Sequence, residues 1–327
     1  MNLRPPGYEP GELPDCSTPR RDGHYSRVRV AAVDLGTNTT RLLVADVRDG
    51  TVEELARQVE ITGLGEGVDV RRRLLPLPIA RVRNCLTGYR RTIEELKAER
   101  ALAVGTSAVR DADNGEAFLG EVEWSYGFST RLLSGEEEAR LTFRGATLDR
   151  AADGVLVVDL GGGSTELVTG DEAFSVDVGA VRLTERFDED VEAIAGHVRP
   201  LLPDLAPRSA IGVAGTITSL AALDLDLPEY DRERVHGHLL SSAGLESQLE
   251  RLAAMPLEER RRLPALDPKR APFIVAGATI LREVLRHYGL HGIEASERDI
   301  LDGVALEAAE LPEPVEGDAP PGAYTCC

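Results

Sequence analysis

The chain has 327 residues, of which 42% are hydrophobic and 28% charged, enough to bury a core and divide into about two domains. Its formal net charge of −19 argues against a binder of duplex nucleic acid, which needs a basic footprint to displace counterions. No apolar run approaches the roughly 18 residues that span a bilayer, since the longest candidate, residues 273–281, is broken at Gly277, so no membrane association is expected.

Residues 1–27 carry Pro5, Pro6, Pro10, Pro14 and Pro19 and lack the apolar stretch of a secretory signal, so a disordered tail and a cytoplasmic location are expected. Residues 28–33 (VRVAAV) are a β-rich run that meets Asp34-Leu35-Gly36, and the apolar pattern resumes over 42–47, which predicts strand, turn, strand. Apolar and charged residues at helical spacing predict a helix over 80–100, followed by a short strand at 101–104 and a second helix at 134–143. The strand–turn–strand pattern then returns as VLVV at 155–158, Asp159-Leu160-Gly161-Gly162-Gly163 and Leu167-Val168. Superposing Asp34 on Asp159 also pairs Gly36 with Gly161, Thr39 with Ser164, Thr40 with Thr165 and Leu42 with Leu167. So many matches at one offset point to two related halves rather than a solenoid, whose period is about 20 to 50 residues. Residues 210–213 then read as a strand, 272–288 as a long helix and 312–327 as a Pro/Gly-rich tail. Alternating strands and helices predict the α/β class.

The two Asp-x-Gly turns are the strongest chemical signal. Glycine lets backbone N–H groups approach a phosphate, and the hydroxyls of Thr37, Thr39, Thr40, Ser164 and Thr165 add donors. The pattern is neither a Walker A loop nor a dinucleotide fingerprint. Asp34, Asp159 and Glu166 are hard oxygen ligands suited to a hydrated Mg²⁺; for the two aspartates, capping of the turn is the alternative. In Ser134-Gly-Glu-Glu-Glu138, Ser134 and Glu137 match a capping box and Glu136 suits the helix dipole, which leaves Glu138 without a structural duty. Arg110 ends a run of small hydroxyl residues suited to an anion, and Gly212 to Thr216 offer a loop that an ATP-dependent kinase would use for adenosine. Nearly every basic residue is an arginine, a bias that genome composition produces but that also matches phosphate geometry. Arg41, Arg110, Arg270, Arg298 and the run Arg71 to Arg73 are candidates for a positive track. The six histidines show no HExxH and no His-Asp pairing in the sequence, and Cys16, Cys85, Cys326 and Cys327 form neither a disulfide framework nor a zinc motif.

Taken in order, VDLGTNTTRLLV, VGTSAVRDA, SGEEEARL, VVDLGGGSTELV, GVAGTIT, LDPKRA and ASERDILDGV resemble the exopolyphosphatase / guanosine pentaphosphate phosphatase family over about residues 28–308, and the chain looks like a short, two-domain member. The resemblance implies the acetate and sugar kinase/Hsp70/actin superfamily fold, with RNase-H-like domains at 28–148 and 149–310, a cleft between them, and tails at 1–27 and 311–327. It implies terminal phosphate held by Gly36, Thr37, Asn38, Thr39, Thr40, Gly161, Gly162, Gly163, Ser164 and Thr165 with Arg110 nearby. Glu138 then activates water, and Asp34, Asp159 and Glu166 hold Mg²⁺. The substrate expected is inorganic polyphosphate or guanosine pentaphosphate, and the assembly a homodimer. A kinase of the same superfamily would instead pass phosphate to an acceptor, and a non-catalytic sensor would release none.

Overall fold

A computed structural model describes residues 27–312. Apart from residue 27 and residues 311–312, the two expected tails lie outside the described residues, as do Cys16, Cys326 and Cys327; Cys85 carries a free thiol.

The first meander, β1 (Val28–Leu35), β2 (Thr39–Arg48) and β3 (Thr51–Ile61), is followed by α1 (Val68–Arg71) and α2 (Pro76–Leu96). Then come β4 (Arg100–Gly105), α3 (Ser107–Arg110), α4 (Gly115–Tyr126), β5 (Ser129–Leu132) and α5 (Gly135–Ala146). The second meander is β6 (Val155–Leu160), β7 (Thr165–Val168) and β8 (Ala173–Val176), followed by α6 (Ala180–Phe187), α7 (Val191–Val198), β9 (Ser209–Val213) and α8 (Ala214–Asp224). The chain continues through α9 (Arg232–Val235), β10 (Leu239–Ser241), α10 (Ser242–Ala254), α11 (Leu257–Arg260), α12 (Ile274–His287), β11 (Gly292–Ala295) and α13 (Ile300–Glu310).

The first sheet has the order β3-β2-β1-β4-β5, with β1 antiparallel to β2 and parallel to β4. The second repeats it as β8-β7-β6-β9-β11, with β6 antiparallel to β7 and parallel to β9, and adds β10 at the edge. The sequence repeat is therefore a repeat of fold, two RNase-H-like halves of the α/β class. β1 and β6 are central and covered on both faces, so they read as continuous apolar runs; the edge strand β3 exposes charged residues between its apolar ones.

Helix α5 lies between the sheets. Ala139 and Ala146 pack into the core on β6, β7 and β9, while Leu141 packs into a core shared by the first sheet and α13. α13 leaves β11 of the second sheet yet lies on β1 and β2 of the first. The expected division after residue 148 falls in the connection from α5 to β6, and the C-terminal helix returns across it. The crossing of α5 and α13 is tight: Gly145 faces the Asp299 carbonyl and Gly303 the Leu141 carbonyl, with no room for a Cβ at either. Among the described residues no helix is long and apolar enough to cross a membrane.

Candidate active site

Each half ends its first strand in the same turn. The Gly36 N–H donates to Thr39 O at 3.0 Å, and the Gly161 N–H to Ser164 O at 3.1 Å. The start of α6 pins the second turn, with the Ala180 N–H on Gly161 O at 3.0 Å and the Val181 N–H on Gly162 O at 2.9 Å. Among the described residues, the N–H groups of Thr37, Asn38, Gly162 and Gly163 have no intramolecular acceptor. The two turns and Ser107 line one end of a cleft of about 700 Å³. Facing amides and hydroxyls of this kind form a concavity for an anion.

Strand register decides what surrounds the two aspartates. Asp34 stands opposite Arg41 and Asp159 opposite Glu166, so equivalent positions of the two halves carry opposite charge. Arg41 holds Asp34 Oδ2 at 2.7 Å and also pairs with Asp299, the N-cap of α13. Asp34 Oδ1 is buried with no hydrogen-bond partner. Asp159 Oδ2 accepts from Thr142 at 3.0 Å, and burial pushes its pKa up to about 6 against the pull of Arg41. Glu166 accepts from Ser175 at 2.7 Å; burial, then repulsion by Glu138 and Asp159, raises its pKa well above the ordinary value.

Glu138 owes its place to the start of α5. Ser134 and Glu137 form the capping box, with the Glu137 N–H on Ser134 Oγ at 3.2 Å and the Ser134 N–H on Glu137 Oε2 at 2.8 Å. Glu136 and Glu137 are thereby turned to solvent and to Arg140 and Arg131, while Glu138 is buried at the cleft wall. Arg110 donates to Glu138 Oε2 at 3.0 Å and to Leu133 O at 2.9 Å. Burial raises the Glu138 pKa to about 8, the counter-pull of Arg110 being the smaller effect. A helix N-terminus favours an anion by only about 0.3–1 kcal/mol, too little to reverse this.

The structure brings Asp34, Gly36, Thr37, Asn38, Thr39, Glu138, Asp159, Gly161, Gly162, Gly163 and Ser164 to the cleft wall. Four expected site residues stand elsewhere. Thr40 and Thr165 occupy equivalent strand positions, both buried; Thr40 shares a hydrogen bond with Thr62 at 2.9 Å, and Thr165 donates to Val178 O at 2.6 Å. Their hydroxyls are engaged within the fold, and neither residue lines the cleft. Arg110 reaches Glu138 and does not line the cleft, and Glu166 sits behind Asp159 and Glu138. Of the expected arginine track, Arg41 and Arg270 line the cleft, whereas Arg298 pairs with Asp149 at 3.3 Å and Arg71 to Arg73 are exposed away from it.

Sequence reasoning reached Ser107 only as part of the hydroxyl run before Arg110, and it missed Thr142, which stands in neither that run nor an Asp-x-Gly turn. It also missed the pairing of His238 Nε2 with Asp224 Oδ2 at 2.8 Å, made by the fold between residues fourteen apart and off the cleft. The Asp299–Asp302 capping box was readable from its spacing.

The carboxylates offer a divalent cation an incomplete shell. Among the described residues no three His, Cys, Asp or Glu side chains converge into a cage. The unsatisfied Asp34 Oδ1, the mutual repulsion of Asp159, Glu166 and Glu138, and the all-oxygen donor set nevertheless fit a hard cation. Such a cation keeps much of its water and takes one or two protein carboxylates beside the substrate's phosphates.

A model of the Ppx/GppA phosphatase family matches residues 43–311. The chain is 37% identical over 314 residues to exopolyphosphatase 2 of Mycobacterium tuberculosis, an alignment that spans 86% of this chain and 98% of that protein. The crystal structure of a Ppx/GppA family member from Aquifex aeolicus is 30% identical, with a TM-score of 0.73, covering 88% of this chain and 100% of that one. That of an exopolyphosphatase-like protein is 33% identical with a TM-score of 0.80, covering 86% and 97%.

Proposed function

Because the chain belongs to the Ppx/GppA phosphatase family, we propose that it is an exopolyphosphatase, a phosphoanhydride hydrolase that releases orthophosphate from the end of inorganic polyphosphate. The observation that carries the reading is Glu138, a buried carboxylate at the cleft wall, fixed by Arg110 beside two amide-rich turns.

The terminal phosphate lies between the turn at Gly36 to Thr39 and the turn at Gly161 to Ser164, whose N–H groups and hydroxyls receive its charge. Glu138 holds a water on the side away from the leaving chain, takes its proton, and lets the oxygen attack in line. A base so placed contributes about 10²- to 10⁴-fold, and the remaining acceleration comes from positioning and charge neutralisation. Asp159 and Asp34, with Glu166 behind them, would hold Mg²⁺. That ion neutralises phosphate oxygens when bound. Arg110 acts on Glu138, orienting its carboxylate. The test is orthophosphate release from polyphosphate by the wild type and by Glu138→Gln. Release by the wild type and its loss in the variant support the reading, and release to an acceptor other than water would assign a kinase.

A second reading has an observation of its own. The cleft is also lined by Leu266, Phe273, Ile274 and the ring of Tyr230, which an unbranched polyphosphate does not require and a nucleoside does. Guanosine pentaphosphate, whose terminal phosphoanhydride is the same, is therefore assayed in parallel. A cytoplasmic location and a homodimer complete the proposal; light scattering of the purified protein tests the dimer.

A further inference from the structure

Behind the two turns lies a second, smaller space. It has room for about one water, at about 20 Å³, and it shares with the main cleft the residues Thr37, Ser107, Gly163 and Val181. Those residues are the wall between the two. The wall is thin and has no slack: a Cβ on Gly163 would meet the hydroxyls of Ser107 and Thr37. It is also a seam, since Thr37 and Ser107 belong to the first sheet's half and Gly163 and Val181 to the second's.

The far side of the small space is lined by one guanidinium that ties the seam. Arg182, in α6 of the second half, donates to Gly163 O, at 2.6 Å, and ion-pairs with Asp69 and Asp111, both of the first half. Glu185, one turn on, accepts the Gly67 N–H at 3.1 Å across the same seam. Asp69 and Asp111 keep partial contact with solvent, at 31% and 18% exposure, so the clasp lies at the solvent margin of the small space and holds the seam together. Arg71 to Arg73, which follow Asp69 in the chain, are exposed.

In-line cleavage leaves orthophosphate against this wall with the shortened chain in front of it, because of these two spaces the main cleft alone has the volume to hold a chain. We propose that orthophosphate leaves by a rear exit through the wall, closed by the clasp of Arg182 on Asp69 and Asp111, so that the chain need not vacate the cleft between cleavages. The inference rests on the phosphohydrolase reading above. A phosphate reaching the wall offers Arg182 oxygens equivalent to those of its two carboxylate partners. Exchange of partners would release the seam, and the exposed arginines that follow Asp69 would draw the anion on.

The test is product inhibition with long polyphosphate as the varied substrate. Exit through the front requires the chain to leave first, so orthophosphate would be purely competitive. Exit through the rear lets orthophosphate bind with the chain in place, so the rate at saturating polyphosphate should still fall, by about threefold or more at high orthophosphate. Arg182→Ala, and separately Asp69→Asn with Asp111→Asn, which spares the Arg182 contact to Gly163, should each shift the orthophosphate inhibition constant by about fivefold or more and leave KM for polyphosphate within about twofold. Competitive inhibition of the wild type, or an inhibition constant that neither variant moves, overturns the rear exit while leaving the hydrolase reading standing. A wild type that releases orthophosphate from neither polyphosphate nor guanosine pentaphosphate overturns both.

Discussion

Glu137 and Glu138 are adjacent and chemically identical, and one turn of helix gives them different tasks. Glu137 closes the capping box and pairs with Arg131, so its pKa is held below the ordinary value; Glu138, one residue on, is buried and its pKa is raised. Replacing Glu138 by Gln keeps its shape and the capping box, so turnover should fall by at least about 10²-fold, whereas Glu137→Gln keeps the box, which takes Gln as well as Glu, and loses only the charge toward Arg131 and the helix dipole, so it should cost about 0.3–1 kcal/mol of stability, with turnover nearly unchanged. The reverse order of effects on turnover would exchange the roles. The raised pKa also has a thermodynamic sign. A carboxyl whose pKa is higher in the folded than in the unfolded chain imposes no ionisation cost below its unfolded value, about 4.5, and its full cost above its folded value, about 8. In chelator, the Glu138→Gln protein should therefore gain melting temperature relative to wild type as pH rises from 5 to 8. A constant difference across that range would mean that the buried carboxyl is not desolvated.

At the scale of the element, the duplicated hairpin carries the site, and it was legible because Asp-x-Gly turns leave their residues in the sequence at a fixed offset. Its charge was less legible. Asp34 and Asp159 look equivalent until pairing sets Arg41 against one and Glu166 against the other, and only the strand register reveals that the first aspartate is already partly neutralised. Asp159→Asn should accordingly raise the Mg²⁺ concentration needed for half-maximal activity, since a neutral amide is a poorer ligand for a hard cation. An unchanged Mg²⁺ titration would remove Asp159 from the ion. The helices were readable by period but not by partner. The apolar repeat of 272–288 predicted α12 to within two residues at its start and one at its end, yet nothing local told α13 to leave the second sheet for the first. That choice is recorded in a contact between distant glycines. A Cβ at Gly145 would collide with the Asp299 carbonyl, and Asp299 is tied through Arg41 to Asp34. Gly145→Ala should cost about 1–3 kcal/mol as an overpacked crossing and should weaken turnover as well, read by thermal melting and phosphate release on the same preparation. A stable variant of full activity would show that the crossing has slack.

For the whole molecule the question is how a chain of net charge −19 admits a polyanion. Total charge sets the far field, while a substrate in a cleft responds to the groups within a Debye length of about 8–10 Å. Four arginines line the cleft, Arg41, Arg57, Arg232 and Arg270. Arg41 is bound to Asp34 and Asp299, Arg57 to Asp299, Asp302 and Glu54, and Arg232 to Glu54 and Glu297, so their charge is largely balanced inside the protein. Arg270 has no hydrogen-bond or ion-pair partner among the described residues; its guanidinium packs over Gly215 beside Tyr230, and burial lowers its pKa. A half-buried cation without a partner carries a desolvation cost that an anion would relieve. The distal phosphates of a bound chain would do so. Arg270→Ala should therefore raise KM for polyphosphate by about tenfold and flatten its dependence on salt, with kcat within about twofold, because the group stands beside Gly215 and Tyr230 and not on either Asp-x-Gly turn. The same substitution should relieve the unbound protein of its desolvated charge and leave its melting temperature equal or higher. A fall in kcat with KM unchanged would place Arg270 at the reacting phosphate instead. An unchanged KM together with unchanged salt dependence would move the distal chain away from Arg270 altogether.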